Sequence, residues 1–204
     1  QIDRRHARRE MAHEVDDGGV ARLREALAGQ IDHPVDALLA GREVHERCAL
    51  IFGVDDHHQP AAVRFGQALQ AGRRLSPSAF LGSLPSTPAT TLSLLFQLKG
   101  YQATLDTRAQ AGLQALAHAA DLLALGRCEQ VVVAALSRAG QGALGVAALL
   151  DAGGGLVLEQ ARGRSDAEPL SGSAAERLLA WLERHGGSQW LGDAELALRA
   201  QAWA

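Results

Sequence analysis

From Phe80 to Leu136 the sequence spells helix, strand, tight turn, helix and strand in immediate succession, and each boundary carries its own chemistry. Thr87 is a candidate N-cap and Pro88 a candidate first helical residue, after which Leu92, Leu95 and Phe96 recur at helical spacing. Lys99-Gly100 closes that helix. Tyr101, Gln102, Ala103, Thr104, Leu105 and Asp106 read as a short strand, and residues 107–109 as a turn. From Gln110 a second helix places Leu113, Leu116, Ala117, Ala120, Leu123 and Ala124 on one face, and Gly126 stops it. Residues 131–136 form an unbroken apolar run, the pattern of a strand buried on both faces. A strand that turns sharply into a helix holds the turn residue at the helix N-terminus. There, free N–H groups and the macrodipole favour a nucleophile's anion. The turn is therefore the candidate site.

Composition narrows the classes. The 204 residues include 20 basic and 23 acidic side chains, a net charge of -3, which gives no electrostatic case for nucleic acid or an anionic membrane. With only four Phe, three Trp and one Tyr, the core is built from Ala, Leu and other aliphatic residues. Cys48 and Cys128 read as isolated small hydrophobes and fit a reducing cytoplasm. No run of about 18 apolar residues and no secretory segment is present, so neither a membrane span nor export is expected. The sequence opens on Gln1 without Met, and the natural N-terminus is expected to lie elsewhere. No internal repeat or low-complexity linker divides residues 1–204, which read as a single domain.

Residues 1–14 interleave Arg4, Arg5, Arg8 and Arg9 with His6, Glu10 and His13, the composition of a solvated helix face. Residues 20–28 carry Val20, Leu23 and Leu27 on one face of an amphipathic helix. A turn at Asp32-His33-Pro34 and a short helix over residues 35–39 follow. Residues 47–54 give the first convincing buried strand, and Asp55-Asp56-His57-His58 is expected as a solvent-exposed loop. Its carboxylates and imidazoles are possible metal ligands, but no second cluster completes a site, so no metal and no cofactor is expected. Residues 60–69 predict a helix with Ala62, Phe65 and Leu69 facing inward. The string Gly140-Gln141-Gly142-Ala143-Leu144-Gly145 matches G-x-G-x-x-G, yet the apolar residues after it are of strand length, not the helix that a pyrophosphate site needs. Residues 146–150 and 156–158 predict a hairpin. Ser173 with Glu176 forms a capping box for a helix carrying Leu178, Leu179 and Leu182, closed by Gly186-Gly187. Residues 190–203 read as an accessory tail containing Leu191, Leu196 and Leu198.

The order of these elements resembles the N-terminal half of the β-ketoacyl synthase, or thiolase-fold, family. Ser83-Leu84-Pro85-Ser86-Thr87-Pro88-Ala89 matches that family's SLPNTPA-like segment. Thr107-Arg108-Ala109-Gln110-Ala111-Gly112 matches its T-A-C-x-S-G elbow, and Gly126-Arg127-Cys128-Glu129-Gln130-Val131-Val132 its G-x-x-D-V-hydrophobic strand. The resemblance implies an α/β fold, half of a thiolase-like unit, with a mixed sheet of about five strands covered by helices on both faces. It puts the family's nucleophilic cysteine at Ala109, whose methyl group cannot be acylated. The two partner histidines of the family come from its second half. None of His6, His13, His33, His45, His57, His58, His118 and His185 lies in the corresponding motif. His118 is expected to be a packed or surface residue.

The family also contains inactive, chain-length-factor-like subunits that lack the cysteine and bind an active synthase. By that resemblance the strand Tyr101 to Asp106 pairs with its counterpart across a heterodimer. The implied function is a non-catalytic subunit of an active β-ketoacyl synthase in polyketide, aryl-polyene or fatty-acid-like biosynthesis. The helices 88–98 and 110–125 would help to bound the acyl tunnel, and substrate would arrive on acyl carrier protein through the complex. Such subunits commonly carry glutamine in place of the cysteine, and here Gln110 is one residue away. Two alternatives remain open: a stand-alone module binding acyl carrier protein or acyl thioester, and a degenerate thiolase-like acyltransferase using Ser83 or Thr107.

Overall fold

The computed structural model describes residues 31–202 except positions 43, 46, 140–141, 153–155, 163–165, 185–188 and 194–195. The basic run at residues 4–13, the helix expected at 20–28 and the stop at Gly186-Gly187 lie outside the described residues. Helix α1 (Asp32–Leu39) absorbs the turn expected at Asp32-His33-Pro34. Proline is tolerated there because first-turn N–H groups have no intrahelical acceptor. Strand β1 (Cys48–Val54) is buried at all seven positions. Helix α2 (Gln59–Gln70) takes Pro60 in its first turn. The short α3 (Pro77–Leu81) is capped by Ser76, whose Oγ accepts from the Ala79 amide at 3.1 Å.

In helix α4 (Thr87–Phe96) the N-cap position is Ser86, one residue earlier than expected; Ser86 makes no side-chain capping bond, and the Thr87 hydroxyl donates to the Leu81 carbonyl. It also stops before Lys99-Gly100, at Gln97, whose left-handed φ of 52° breaks the helix. Strand β2 (Gln102–Asp106), a 3₁₀ turn over Arg108–Gln110, α5 (Ala111–Ala124) and β3 (Gln130–Ala139) then follow in the expected order. The chain continues through β4 (Gly142–Asp151), β5 (Leu156–Ala161), β6 (Glu168–Pro169), α6 (Ala174–Arg184), β7 (Leu191–Gly192) and β8 (Ala197–Ala202).

The principal sheet has the order β2-β1-β3-β4, with β1 parallel to β2 and to β3, and β4 antiparallel to β3. The parallel pairs require crossovers, which α4 supplies between β1 and β2 and α5 between β2 and β3. The period-two alternation of strand side chains splits the core cleanly. Ala49, Ile51, Val131, Val133 and Ala135 face α5 and α6, against Leu113, Leu116 and Leu178. Cys48, Leu50, Phe52, Val54, Val132, Ala134 and Leu136 face the other way, against Val35 of α1 and Ala89 and Leu92 of α4. This is a mixed α/β sheet covered by helices on both faces, with four strands.

A second four-stranded sheet, β5-β8-β7-β6, corrects two sequence-based expectations. β4 and β5 do not form a hairpin. β4 pairs with β3, while β5 runs antiparallel to β8. The residues from Trp190 onward are not an accessory tail, since Leu191, Leu196 and Leu198 are buried and Leu198 receives the Trp181 indole N–H on its carbonyl at 3.4 Å. Gly142 to Gly145 of the glycine string lie within β4, so a strand follows the motif and no helix N-terminus is there to hold a phosphate. A third correction concerns α2, which has no buried residue. Leu69, expected inside, is 60% exposed. Its Phe65 meets Phe80 of α3 with ring centroids 5.7 Å apart, so α2 packs on α3 and not on the sheet. On α5, Leu122 is buried while Ala124 is exposed. Among the described residues no helix is long and apolar enough to cross a membrane.

Candidate functional site

β2 is an edge. Among the described residues it pairs only with β1, in the parallel register Leu50↔Gln102 through Val54↔Asp106, and no strand lies along its outer side. Its burial differs from that of β1 accordingly. Gln102 and Asp106 are exposed, and Ala103, Thr104 and Leu105 are half-buried. Tyr101 lies just ahead of the strand. Its carbonyl accepts from the Leu50 amide at 2.9 Å, and its ring, half exposed, meets His118 edge-on at 5.8 Å. His118 is thus a packing partner. The Gln102 side chain bridges to Ser93 at 3.0 Å and Thr90 at 3.4 Å, fixing α4 beside the edge. At the other end, Asp106 faces His58 at 3.7 Å.

Beyond Asp106 the chain makes the turn that the sequence predicts. Thr107 and Arg108 are exposed, and Arg108 has φ 56°, a left-handed conformation that costs an L-residue about 1 kcal/mol. Ala109 is half-buried and Gln110 buried. Two glycines let the turn sit this close to its neighbours. A Cβ on Gly53 would collide with the Ala111 carbonyl, and one on Gly112 with the Ala174 carbonyl of α6. The helix starting at Ala111 is therefore wedged between β1 and the beginning of α6.

Gln110 does not stand free beside Ala109. Its Nε2 donates to the Asp193 carboxylate, which also pairs with Arg177 at 2.7 Å and accepts from the Leu196 amide at 3.2 Å. Gln110 Oε1 is buried without a hydrogen-bond partner. Sequence reasoning missed Asp193 and Arg177, which lie far from the turn along the chain.

It also missed Asp55. The loop after β1 was expected to be exposed, but Asp55 is only 9% exposed. The reason is the start of α6. Asp55 accepts from the Ala174 amide at 3.2 Å, and Ser137, at the matching end of β3, accepts from the Ala175 amide at 2.9 Å. Ser173 Oγ accepts from Glu176 N at 3.4 Å, and Glu176 returns the bond to the Ser173 amide at 2.8 Å, so the predicted capping box is present. Burial alone would raise the Asp55 pKa, but hydrogen bonds from Ser137 and from the Asp56 and Ala174 amides outweigh it and hold the carboxyl below the usual range. The one signal in the sequence was a carboxylate directly after a wholly apolar strand. Asp55, Asp56, His57 and His58 do not converge. Asp55 turns to α6, while His58 turns to Asp106.

Residues 35–165 match the model of the β-ketoacyl synthase N-terminal domain. The chain belongs to that family. Among solved structures it is similar to that described as a ketosynthase (ApeO) in complex with its chain length factor (ApeC) from Xenorhabdus doucetiae. The TM-score is 0.61 and the identity 17%, over 81% of this chain and 72% of that one, a likeness of fold. Two further structures match over smaller parts of their own length. A β-ketoacyl synthase from Burkholderia phymatum matches at TM-score 0.43 and 23% identity, covering 52% of this chain and 28% of that one. The ishigamide ketosynthase/chain length factor matches at 0.44 and 15%, covering 78% and 37%. No curated protein matches the chain. The matched span includes the turn at residues 107–112.

Proposed function

We propose that this chain is a non-catalytic, chain-length-factor-type subunit that pairs through β2 with an active β-ketoacyl synthase. One observation carries the reading: the strand–turn–helix is folded, and the residue that the family resemblance aligns with the nucleophile is Ala109. A methyl group forms no thioester, so the elbow serves as scaffold. The open edge of β2 supports the pairing, because an unpaired edge strand of a buried sheet is a template for another strand. No other cysteine takes over. Burial pushes the Cys48 thiol up to about 11 and raises that of Cys128 as well, which leaves both protonated at neutral pH. The two free thiols also fit a cytoplasmic setting. Acyl substrates would reach the complex on acyl carrier protein, for polyketide, aryl-polyene or fatty-acid-like products. Of the two helices expected to bound an acyl tunnel, α5 spends its leucines on the core. α4 keeps Leu94 53% exposed and is the better candidate.

The test is co-expression with an active β-ketoacyl synthase of the source organism. The expected result is co-purification in one complex and a condensation rate that falls at least tenfold when this chain is omitted. A stable monomer that leaves the synthase equally active sinks the reading. So does a covalent acyl adduct found by mass spectrometry on the isolated chain after incubation with acyl thioester.

A further inference from the structure

The parallel part of the principal sheet has the order β2-β1-β3, and its two crossover helices lie on opposite faces, α4 on one and α5 on the other. In open α/β sheets of this order, ligands bind in the crevice outside the carboxyl ends of the first and third strands. Asp55 and Ser137 mark that crevice here, since they directly follow the paired residues Val54 and Leu136. Both are buried, Ser137 completely. Both spend their side chains on the first turn of α6, Asp55 on the Ala174 amide at 3.2 Å and Ser137 on the Ala175 amide at 2.9 Å. The chain's own helix stands where a ligand would.

The turn beside the crevice is tied to the same elements. A Cβ on Gly112 would strike the Ala174 carbonyl, so α5 and α6 meet backbone to backbone there. Gln110 donates to Asp193, which directly follows β7, and Asp193 pairs in turn with Arg177 of α6 at 2.7 Å. The Gln110 amide oxygen is buried without a partner, a state that costs free energy and persists only where the surroundings fix the side chain. Trp181 donates to the Leu198 carbonyl, which ties α6 to β8. All of these tethering residues lie beyond residue 165, where the match to the β-ketoacyl synthase N-terminal domain ends.

We propose that α6, β7 and the start of β8 form a built-in cover, which fills the β1/β3 crevice and closes the turn 107–110 to a long acyl chain. The alanine at position 109 is then one of two blocks. With a thiol restored there, the acyl chain of a thioester would still meet α6 and the Gln110–Asp193–Arg177 clasp. This deepens the reading of the turn as scaffold and rests on it. Any acyl chain held by a complex that contains this subunit runs outside the crevice.

The experiment places a thiol on the whole purified chain, as Ala109→Cys or, for comparison, as Thr107→Cys at the exposed residue two places earlier. Each variant is alkylated with iodoacetamide and, separately, with its N-octyl derivative. In both reactions the thiolate displaces iodide, and mass spectrometry follows the peptide that carries the new thiol. The ratio of octyl to parent rate cancels the thiolate fraction of each site and reports the room for the chain. The ratio at position 109 is expected to be at least tenfold below that at position 107. In Ala109→Cys/Asp193→Ala, which cuts the clasp, it is expected to rise at least threefold. Ratios at 107 and 109 within twofold of each other overturn the proposal, and that comparison needs no weakened variant. An unchanged ratio in an Asp193→Ala chain that keeps a cooperative melting transition overturns it as well. A chain that supports a synthase but fails this comparison loses the cover alone, whereas an acyl adduct on the isolated wild-type chain sinks the scaffold reading beneath it.

Discussion

Helices α5 and α2 are similar in length, 14 and 12 residues, and both are rich in alanine. α5 buries eight of its residues and α2 buries none. The difference comes from connectivity. α5 is the crossover between two parallel strands of one mixed sheet, so its chain ends hold it against the sheet face. α2 leaves the end of β1 but returns through α3 and α4, and it packs on α3. Amphipathic spacing says that a helix has an apolar side. It does not say whether that side meets the chain's own sheet or another molecule. The first helix holds this fold together, and the second is free to serve something outside it.

Truncating α5 gives the largest expected effect. Leu116 is fully buried among Ile51, Val131 and Leu178 in the core on the α5 side of the sheet. Leu116→Ala removes contacts and leaves a cavity, and should cost about 3 kcal/mol. Denaturant unfolding should show it as a lower midpoint at an unchanged slope. A loss below about 1 kcal/mol would mean that α5 is not the packed element the fold makes it.

Asp55 comes next. Asp55→Asn keeps one acceptor for the Ala174 amide, but it removes the charge at the α6 N-terminus and turns an NH₂ toward the Asp56 amide or the Ser137 hydroxyl. The expected cost is about 2 kcal/mol near neutral pH. The sign with pH follows from the depressed pKa. The folded state holds the carboxylate ionised more strongly than the unfolded chain does, so the stabilisation is complete above the unfolded value of about 4. It is lost as pH falls through the lower folded value. The gap between wild type and Asp55→Asn should therefore narrow below about pH 4. Glu176 shifts in the same direction through its hydrogen bonds from Ser173, and the Asp55 charge opposes that shift, so the comparison is made with Glu176→Gln in both proteins. A gap that is constant from pH 7 to pH 3 would remove Asp55 from the cap.

The contrast also explains what the sequence made legible. The order from α4 to β3 was readable because each boundary has a local signal: Pro88, the turn at 107–109, Gly126, and the unbroken apolar run of β3. The capping box at Ser173 and Glu176 was readable for the same reason, being a four-residue pattern. The second sheet was not, since β6 and β7 are two residues each and carry no periodicity. Of the candidate site, the strand–turn–helix that carries Ala109 was readable from its local signals. Its surroundings were not, because Gln110 meets Asp193 across 83 residues and Asp55 meets Ala174 across 119. Local chemistry is written locally, whereas which ends of the chain meet depends on topology.

The smallest effect on stability is the one that sharpens the comparison most. Leu69 was expected to face inward, and the fold leaves it 60% exposed on α2. Leu69→Ser should change the unfolding free energy by no more than about 0.5 kcal/mol, the range of an exposed helix position. The small loss that remains is helix propensity, a few tenths of a kcal/mol between leucine and serine. If instead the free chain loses 2 kcal/mol or more, then α2 is packed against its own domain in solution, and its apolar side is core after all. A neutral result separates the two helices completely: Leu116 is held by burial within the chain, and Leu69 by nothing within it.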